Sequence, residues 1–191
     1  MSEALKVALV GVGKIAQDQH VPSIAASADW TLAATVSRHG TVDGVEAFRD
    51  MKTMLAARDD IPVVSLCLPP VPRFDYAMAA LEAGRHVMLE KPPGATLAEV
   101  HALAEQATAH GLTIYTTWHS RMAKGVAQAK AWLADRTIER AHITWRESVR
   151  KWHPGQEWIF EPGGMGVFDP GVNALSILTH ILPRPVHLRE A

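Results

Sequence analysis

Lys91 is the residue whose type and position most directly suggest chemistry. It stands beside Glu90 at the end of the apolar run HVML and is followed at once by Pro92 and Pro93. Proline fixes its own φ and keeps the preceding residue extended, so the lysine has little conformational freedom, and one X-Pro bond here could be cis. A lysine held in this way could donate to a substrate oxygen, or act as a base if burial lowers its pKa. The alternative is a solvated charged pair with no function.

A second candidate pair is formed by Asp169 and Asn173 in the run FDPGVNALSIL. Their i,i+4 spacing places both side chains on one face of a helix, where they could grip one substrate together. Asp169 could accept a proton, whereas an asparagine cannot serve as a base. Because Asp169 precedes Pro170, it could equally be a helix N-cap with proline at the first helical position. Both roles can hold at once.

The segment GVGKIAQ (11–17) has the spacing of a dinucleotide-binding turn. It follows an apolar strand and opens a helix. Gly11 permits the tight turn, Gly13 lets the backbone approach a pyrophosphate, and Ala16 provides the small residue where helix meets strand. The pyrophosphate is expected at the helix N-terminus, where N–H groups and the helix dipole favour an anion.

The end of the second predicted strand, TVSRHG, bears on which dinucleotide is bound. An NAD enzyme usually has a carboxylate there for the ribose 2′-OH, but this chain has Ser37 and Arg38, and no acid before Asp43. A hydroxyl and a guanidinium suit a 2′-phosphate, which a carboxylate would repel. We therefore expect NADP to be preferred and NAD to remain possible. The alternative is that Arg38 is a solvated loop residue.

The elements that must position these residues alternate between strands and helices over the first 118 residues. The predicted strands are 5–10, 30–36, 63–68, 86–90 and 112–117. One predicted helix starts at Asp50, one covers 73–83, and one starts at the capping box formed by Thr96 and Glu99. This alternation predicts βαβ units and a parallel sheet, the α/β doubly wound Rossmann class.

The pattern changes after Trp118. A helix is predicted over 123–134, a long alternating strand over 141–149, and a further helix from Asp169. Glu147 lies on the apolar face of the predicted strand, where an unpaired carboxylate is costly, so a ligand or an ion pair should satisfy it. The last residues, PVHLREA, resemble the start of another strand, which suggests that the second domain is only partial. These features predict part of an α+β domain with an open, mainly antiparallel sheet.

Composition limits the classes of partner. The net charge is −1 and the pI about 6.8, so a nucleic-acid or anionic membrane partner is not expected. No apolar run is long enough to span a bilayer, and the N-terminus lacks the features of a signal peptide. Cys67, the single cysteine, excludes an internal disulfide and suits a cytoplasmic location. We interpret it as a strand residue rather than a nucleophile, and the histidine spacing predicts no metal site.

Together, GVGKIAQDQHVP, EKPPG and GGMGVFDPGVNALSIL resemble the Gfo/Idh/MocA oxidoreductase family over essentially all 191 residues. The resemblance implies a Rossmann domain (1–119) followed by a partial substrate-binding and oligomerisation domain (120–191). Within the family the chain is similar to bacterial aldose 1-dehydrogenases. That likeness implies NAD(P)-dependent oxidation of L-arabinose or D-galactose at C1 to the lactone. Members of the family continue past this point through several more sheet strands, so we expect the C-terminal part to be missing here. The resemblance also implies that the full-length form is a homo-oligomer assembled through its C-terminal sheet.

The resemblance also implies roles for particular residues. The family commonly has D-x-x-x-H where this chain has Asp169 and Asn173, so Asp169 or Lys91 remains as the proton acceptor. Predicted sugar contacts are Lys91, His119, Glu147, Trp152, His153, Asp169 and Asn173. Predicted cofactor contacts are Gly11, Gly13, Lys14, Ile15, Ser37, Arg38, Leu68, Pro69, Glu90 and Lys91. Taken singly, each polar sugar contact is more often structural than functional.

Two other functions stay open at this point. The substrate could be another cyclic polyol or carbonyl compound handled by the same family. The protein could also be a non-catalytic regulator that senses a sugar or nucleotide. A lysine and an aspartate able to handle a proton favour catalysis, because a pure sensor has no use for a proton acceptor.

Overall fold

The computed structural model describes residues 3–187 and 189–190, and the chain divides into two compact units, Met1–Thr117 and Trp118–Ala191. The first unit is an α/β Rossmann fold built on a six-stranded parallel sheet, which confirms the predicted fold class. From the sequence, the domain boundary is expected between residues 119 and 120. The assignment of the second unit to substrate binding stays a prediction.

The strand order of the sheet is β3-β2-β1-β4-β5-β6. The strands are β1 (Leu5–Val10), β2 (Trp30–Val36), β3 (Glu46–Phe48), β4 (Val63–Leu66), β5 (His86–Leu89) and β6 (Ile114–Thr116). The chain builds outward from β1 to β3, then returns to the other side of β1 to form β4. This reversal opens a crevice at the carboxyl ends of β1 and β4, where ligands of open α/β sheets bind. Strand β3, a short edge strand, was not predicted.

The central strands are covered on both faces. All residues from Val7 to Val10 and from Val63 to Leu66 are buried, although neighbouring side chains point to opposite faces of a sheet. A strand that is buried on both sides has a continuous apolar sequence, which is why LKVALV and VVSL could be recognised. The sheet therefore gives a rigid base for the loops at its carboxyl edge.

The helices of the first unit begin and end at signals visible in the sequence. A π-helical turn, Ala16–His20, leads into α1 (Val21–Ala25), and α2 is Met51–Ala57, α3 Pro70–Glu82 and α4 Leu97–Ala109. Asp50 caps α2 by accepting a hydrogen bond from the Thr53 amide. Thr96 and Glu99 form the predicted capping box at the start of α4. Helix α3 starts earlier than predicted because Pro70 occupies its first position.

The second unit contains α5 (Val126–Leu133), α6 (Val149–Trp152) and α7 (Phe168–Ile181), with 3-10 turns at His119–Met122 and Glu157–Phe160. The strand predicted over 141–149 is not formed: residues 141–148 are irregular and exposed. An alternating segment becomes a strand only when another strand pairs with it, and the described residues supply none here. No strand is formed at 185–187 or 189–190 either, and Leu188 and Ala191 of that predicted strand lie outside the described residues.

Candidate active site

The glycine turn after β1 packs directly against the turn after β4. Gly11 has a φ of +89°, and its amide donates to the Val36 carbonyl at 2.8 Å. A Cβ at this position would lie 2.9 Å from Leu68 Cδ2 and 3.1 Å from the carbonyl carbon of Cys67. Both the positive φ and the close packing therefore require glycine. This turn borders the crevice between β1 and β4.

Gly13 has a different environment. It is exposed, and a Cβ there would meet no described protein atom within 4 Å. The absence of a side chain at Gly13 thus leaves space on the solvent side of the turn, as a dinucleotide phosphate approaching the backbone would need. Lys14 and Ile15 follow on the exposed surface, and Lys14 forms an ion pair with Asp18. The residues of this turn fit a pyrophosphate.

Ser37 and Arg38 lie at the carboxyl end of β2, the strand next to β1. The Ser37 hydroxyl accepts a hydrogen bond from the Gly40 amide at 3.2 Å, which shapes the loop. Gly40 in turn packs against Val12, because a Cβ on Gly40 would lie 2.3 Å from the Val12 carbonyl oxygen. Arg38 is exposed. The loop is thus held beside the glycine turn, with the guanidinium on the accessible side.

Leu68 and Pro69 form the turn after β4, and Pro69 precedes the first turn of α3. Arg73 on α3 is 3% exposed, and its guanidinium donates to the Leu68 carbonyl through Nε at 3.1 Å and also through Nη2. The same guanidinium donates to the carbonyls of Glu90, at 2.6 Å, and of Pro92. Arg73 therefore ties the turn after β4 to the loop that carries Lys91.

The Lys91 loop follows β5. The Lys91–Pro92 peptide bond is cis, so the possibility raised by the two prolines is confirmed. The Lys91 amide donates to Glu90 Oε2 at 3.2 Å. The lysine side chain is partly buried at the carboxyl edge of the sheet. It thus lies at the same edge as the glycine turn.

Glu90 is a buried carboxylate with a buried partner. Its Oε1 lies 2.7 Å from His20 Nε2, and the two side chains are 9% and 10% exposed. Burial alone lowers the pKa of His20, but hydrogen bonds to Cys67 and Glu90 outweigh it and raise that pKa to about 10. Burial raises the pKa of Glu90, but the hydrogen bond from His20 outweighs it and holds that pKa below its usual range. The two groups therefore form an imidazolium–carboxylate ion pair near neutral pH.

In the second unit the structure brings His153 and Asp169 together. His153 Nε2 lies 2.9 Å from Asp169 Oδ2, and His153 Nδ1 lies 3.0 Å from Gln156 Oε1. The imidazole and the Trp158 ring are perpendicular, with their ring centroids 5.7 Å apart. The Asp169 side chain is 9% exposed. An imidazole held by a buried carboxylate is an arrangement that can accept or pass on a proton.

The interpretation of Asp169 as an N-cap is wrong. Helix α7 begins one residue earlier, at Phe168, and its N-cap is Val167. The Gly171 amide, which an N-cap at Asp169 would bind, donates to the Val167 carbonyl at 3.1 Å. The Asp169 carboxylate lies within hydrogen-bond distance of His153 Nε2.

The remaining predicted sugar contacts are more scattered. Asn173 is buried, one turn along α7 from Asp169. Trp152, at the end of α6, is 51% exposed, and His119 is exposed at the start of its 3-10 turn. Glu147 is exposed and accepts a hydrogen bond from the Trp145 indole. The expectation that Glu147 lies on an apolar strand face is wrong because that strand is not formed. Its predicted role as a sugar contact stays a prediction.

Among the residues that the structure describes, no group of three or more His, Cys, Asp or Glu side chains is arranged to hold a metal ion. No helix in the same part of the chain has the length and apolar character needed to cross a bilayer.

A profile of the Gfo/Idh/MocA oxidoreductases, described as having an NAD-binding Rossmann fold, matches residues 5–117. The chain belongs to the Gfo/Idh/MocA family. The match covers every strand of the sheet and the residues at its carboxyl edge. It supports a nicotinamide dinucleotide as the cofactor and does not distinguish NAD from NADP.

The relatives of this Gfo/Idh/MocA chain include sugar dehydrogenases. Galactose 1-dehydrogenase from Pseudomonas fluorescens is 44% identical over 99% of this chain and 61% of its own length. The crystal structure of D-galactose-1-dehydrogenase from Rhizobium etli matches with a TM-score of 0.91 and 55% identity, over 97% of this chain and 60% of that one. The chain thus spans about three fifths of these two relatives.

A more distant solved relative is a 3-ketoreductase from Actinomadura kijaniata in complex with NADP. It is 25% identical, with a TM-score of 0.62, over 68% of this chain and 44% of that one. The solved structures that resemble this chain therefore include both a sugar dehydrogenase and a ketoreductase.

Several residues at the site could not be found from the sequence. His20 and Arg73 contact the Lys91 loop from 70 and 17 residues away along the chain, and Gln156 and Trp158 contact His153. No periodicity or motif connects His20 or Arg73 with the Lys91 loop, and the contacts of Gln156 and Trp158 depend on how their turn folds. His20 does follow the glycine motif in QDQHVP, and that position is the only local hint of its role.

Proposed function

We propose that the protein carrying this chain is an aldose 1-dehydrogenase that prefers NADP and oxidises L-arabinose or D-galactose at C1 to the lactone. The similarity to galactose 1-dehydrogenase, at 44% identity over 99% of this chain, is the observation that carries the proposal. It includes both the glycine turn and the segment with Asp169 and Asn173. The geometry of the first unit is consistent with it, because Lys91 lies at the sheet edge where the cofactor is expected.

The chemistry divides between cofactor and protein. When bound, the nicotinamide accepts the hydride that leaves C1 of the sugar. Gly11, Gly13 and the backbone that follows would hold the pyrophosphate. Lys91 would donate a hydrogen bond to the C1 oxygen and fix its orientation. The hydroxyl proton of that oxygen must go to a base, and we assign this role to Asp169 together with its partner His153.

The remaining sugar contacts would set substrate selectivity. A pyranose offers hydroxyl groups for hydrogen bonds and C–H groups for an aromatic or apolar surface. Asn173, Glu147 and His119 would bind hydroxyls, and Trp152 would cover the ring. L-arabinose and D-galactose share their ring configuration and differ by an exocyclic CH₂OH group, so a pocket for one can accept the other.

NADP preference rests on Ser37 and Arg38. They follow β2, at the end of which a carboxylate would be needed to select NAD. Arg38 is exposed and therefore accessible to a 2′-phosphate. We also propose a cytoplasmic location and a homo-oligomer of the complete protein, formed through its C-terminal sheet.

Another cyclic polyol or carbonyl compound is the main alternative substrate class, favoured by the likeness to a 3-ketoreductase. A non-catalytic sugar or nucleotide sensor is a second alternative. The buried carboxylate–imidazole contact between Asp169 and His153 favours an enzyme, because such a contact can move a proton.

The test is a substrate scan with the complete protein. Pentoses, hexoses and cyclic polyols are offered with NADP and with NAD, and reduced nicotinamide is followed by its absorbance. We expect turnover with L-arabinose and D-galactose and a higher kcat/KM with NADP than with NAD. A Lys91→Ala variant should show no turnover. Turnover of cyclic polyols alone would replace the proposed substrate class. Cofactor binding without turnover of any compound would favour the sensor.

A further inference from the structure

The loop that presents Lys91 is held from two sides. Arg73 binds the carbonyls of Glu90 and Pro92, which flank the lysine. On the other side, the Glu90 carboxylate uses one oxygen for His20 and the other for the Lys91 amide. The backbone of Lys91 is therefore restrained by a side chain that is itself restrained by His20.

His20 belongs to a different part of the site. It is the last residue of the π-helical turn Ala16–His20, which follows directly from the glycine turn at residues 11–13. Its Nε2 lies 2.7 Å from Glu90, and its Nδ1 lies 3.5 Å from the buried Ser65 hydroxyl on β4. The contact between His20 and Glu90 thus joins the helix that starts at the expected phosphate site to the loop that carries the lysine.

The charges of His20 and Glu90 affect how strongly the pair restrains the Lys91 loop. Both side chains are about nine-tenths buried, so solvent screens their attraction far less than that of a surface pair. An isolated buried carboxylate would be costly and would reorient or take up a proton. With His20 charged, the carboxylate stays ionised and keeps its second oxygen on the Lys91 amide.

We infer that His20 is a positioning residue for Lys91, acting through the Glu90 carboxylate. It aligns the lysine with the cofactor site by linking the π-helical turn Ala16–His20, which follows the glycine turn, to the loop that carries Lys91. The inference rests on the proposed function for its kinetic consequence, because that function gives Lys91 contact with the C1 oxygen. The structural link itself involves only residues of the first unit.

The variant that tests it is His20→Gln, which can keep a hydrogen bond to Glu90 but loses the charge. Misplacing a reacting group by about 1 Å can cost about a hundredfold in rate, so we expect kcat to fall about ten- to a hundredfold. KM for the sugar and the dissociation constant of NADPH should change less than about threefold. The contacts that bind sugar and cofactor equally in the ground state and the transition state are not altered by this substitution.

The matched control is His86→Gln. His86 begins β5, at the end opposite to Glu90, and its Nδ1 accepts a hydrogen bond from the Thr113 amide at 2.9 Å. The control therefore removes a histidine with a structural contact from β5, the strand that leads to Glu90. We expect it to lower the melting temperature without changing kcat. A fall in kcat of equal size in both variants would overturn the positioning role.

Glu90→Gln provides a second variant in case His20→Gln folds poorly, because it leaves no unpaired buried carboxylate. It should lower kcat about as much as His20→Gln does, and the double variant should cost little more than either alone. A normal kcat in Glu90→Gln, or fully additive losses in the double variant, would contradict the inference.

Hydrogen exchange tests the link without any sugar turnover. In His20→Gln the Lys91 amide should exchange more than about tenfold faster, because its acceptor is no longer held in place. The Val87 amide, which donates to Thr113 within the sheet, should keep its rate. If the unmodified protein oxidises no aldose, the proposed function fails, and this measurement still decides the inference. An unchanged rate at Lys91 would overturn it.

Discussion

At the scale of single residues, the chemistry depends on where side chains are held rather than on which types are present. Lys91 is restrained at the carboxyl edge of the sheet by contacts to the residues on either side of it. Asp169 is buried and bound to His153. Arg38 differs from both because it is exposed and lies on a loop shaped by the Ser37 hydroxyl. Substitutions of Arg38 should therefore change cofactor affinity, whereas substitutions of Asp169 should change kcat.

Replacing Arg38 by Ala should weaken NADP and leave NAD almost unchanged. A hydrogen bond to a charged group is worth about 1.5–3 kcal/mol, so the dissociation constant of NADP should rise about ten- to a hundredfold. Titrating the variant with NADPH and with NADH, and following the fluorescence of the reduced nicotinamide, measures the two dissociation constants. NAD serves as the internal control, and equal losses with both cofactors would exclude a 2′-phosphate contact.

Replacing Asp169 by Asn should remove the proton acceptor while keeping an oxygen that can bind His153. General bases contribute about 10²- to 10⁴-fold, so kcat for sugar oxidation should fall by that factor. The control is Glu157→Gln, which makes the same chemical change at an exposed carboxylate of the second unit. If the Asn variant keeps a normal kcat across neutral and alkaline pH, the proton leaves by another route.

At the scale of elements, the first unit shows close agreement between local signals and observed boundaries. Strands β1 and β2 begin and end where their apolar runs predicted. Helix α4 starts at a complete capping box, in which the Glu99 carboxylate accepts from the Thr96 amide and the Thr96 hydroxyl accepts from the Glu99 amide. These contacts are local, so the sequence alone can specify them.

Replacing Thr96 by Ala should lower the free energy of unfolding by about 0.5–2 kcal/mol, because the Glu99 amide loses its acceptor. The control is Thr108→Ala in the same helix. The Thr108 hydroxyl donates to the Ala104 carbonyl, one turn earlier in the same helix. Such a bond to the i−4 carbonyl slightly destabilises a helix, so removing the hydroxyl should be neutral or slightly stabilising. Urea unfolding of both variants gives the comparison. If both variants lose the same free energy of unfolding, the capping box does not stabilise the helix more than an ordinary threonine does.

At the scale of the whole molecule, contacts between distant residues hold the sheet edge together. His20 and Glu90 are 70 residues apart in the sequence, and Arg73 reaches both the turn after β4 and the Lys91 loop. The first of these contacts also makes stability depend on pH. Since the pKa of His20 is raised to about 10 and that of Glu90 is lowered, each group stabilises the fold in its charged form.

The sign of this dependence differs for the two groups. The raised pKa of His20 gives stability that is complete below its unfolded value of 6.5 and is lost as the pH rises to about 10. The lowered pKa of Glu90 gives stability that is present above its unfolded value of 4.5 and is lost as the pH falls below it. The contribution of the pair is therefore greatest between these two unfolded values.

Comparing the unmodified protein with His20→Gln should reveal this window. The difference in free energy of unfolding should be largest at about pH 5–6 and should shrink steadily toward about pH 10. Urea unfolding at several pH values measures it, with His86→Gln as the control for loss of a histidine elsewhere in the sheet. A difference that grows with pH would show that His20 is neutral in the folded protein.

Features that depend on neighbours along the chain could be predicted from the sequence alone. The apolar runs specified five of the strands, Asp50 and Thr96 specified helix starts, and the glycine spacing specified the turn after β1. The alternation of these elements was sufficient for the Rossmann class, since parallel strands joined by helices allow few topologies. The cis bond at Lys91 was foreseen as one of two possibilities because only the two prolines permit it.

The contacts that join distant segments could be seen only in the folded molecule. The pairs His20–Glu90 and His153–Asp169 and the contacts of Arg73 follow from how the chain folds back, which no local pattern records. The same reason explains the error at 141–149. Alternating polarity states only that a segment could pair, whereas a strand forms when a partner is present, and the described residues provide none there.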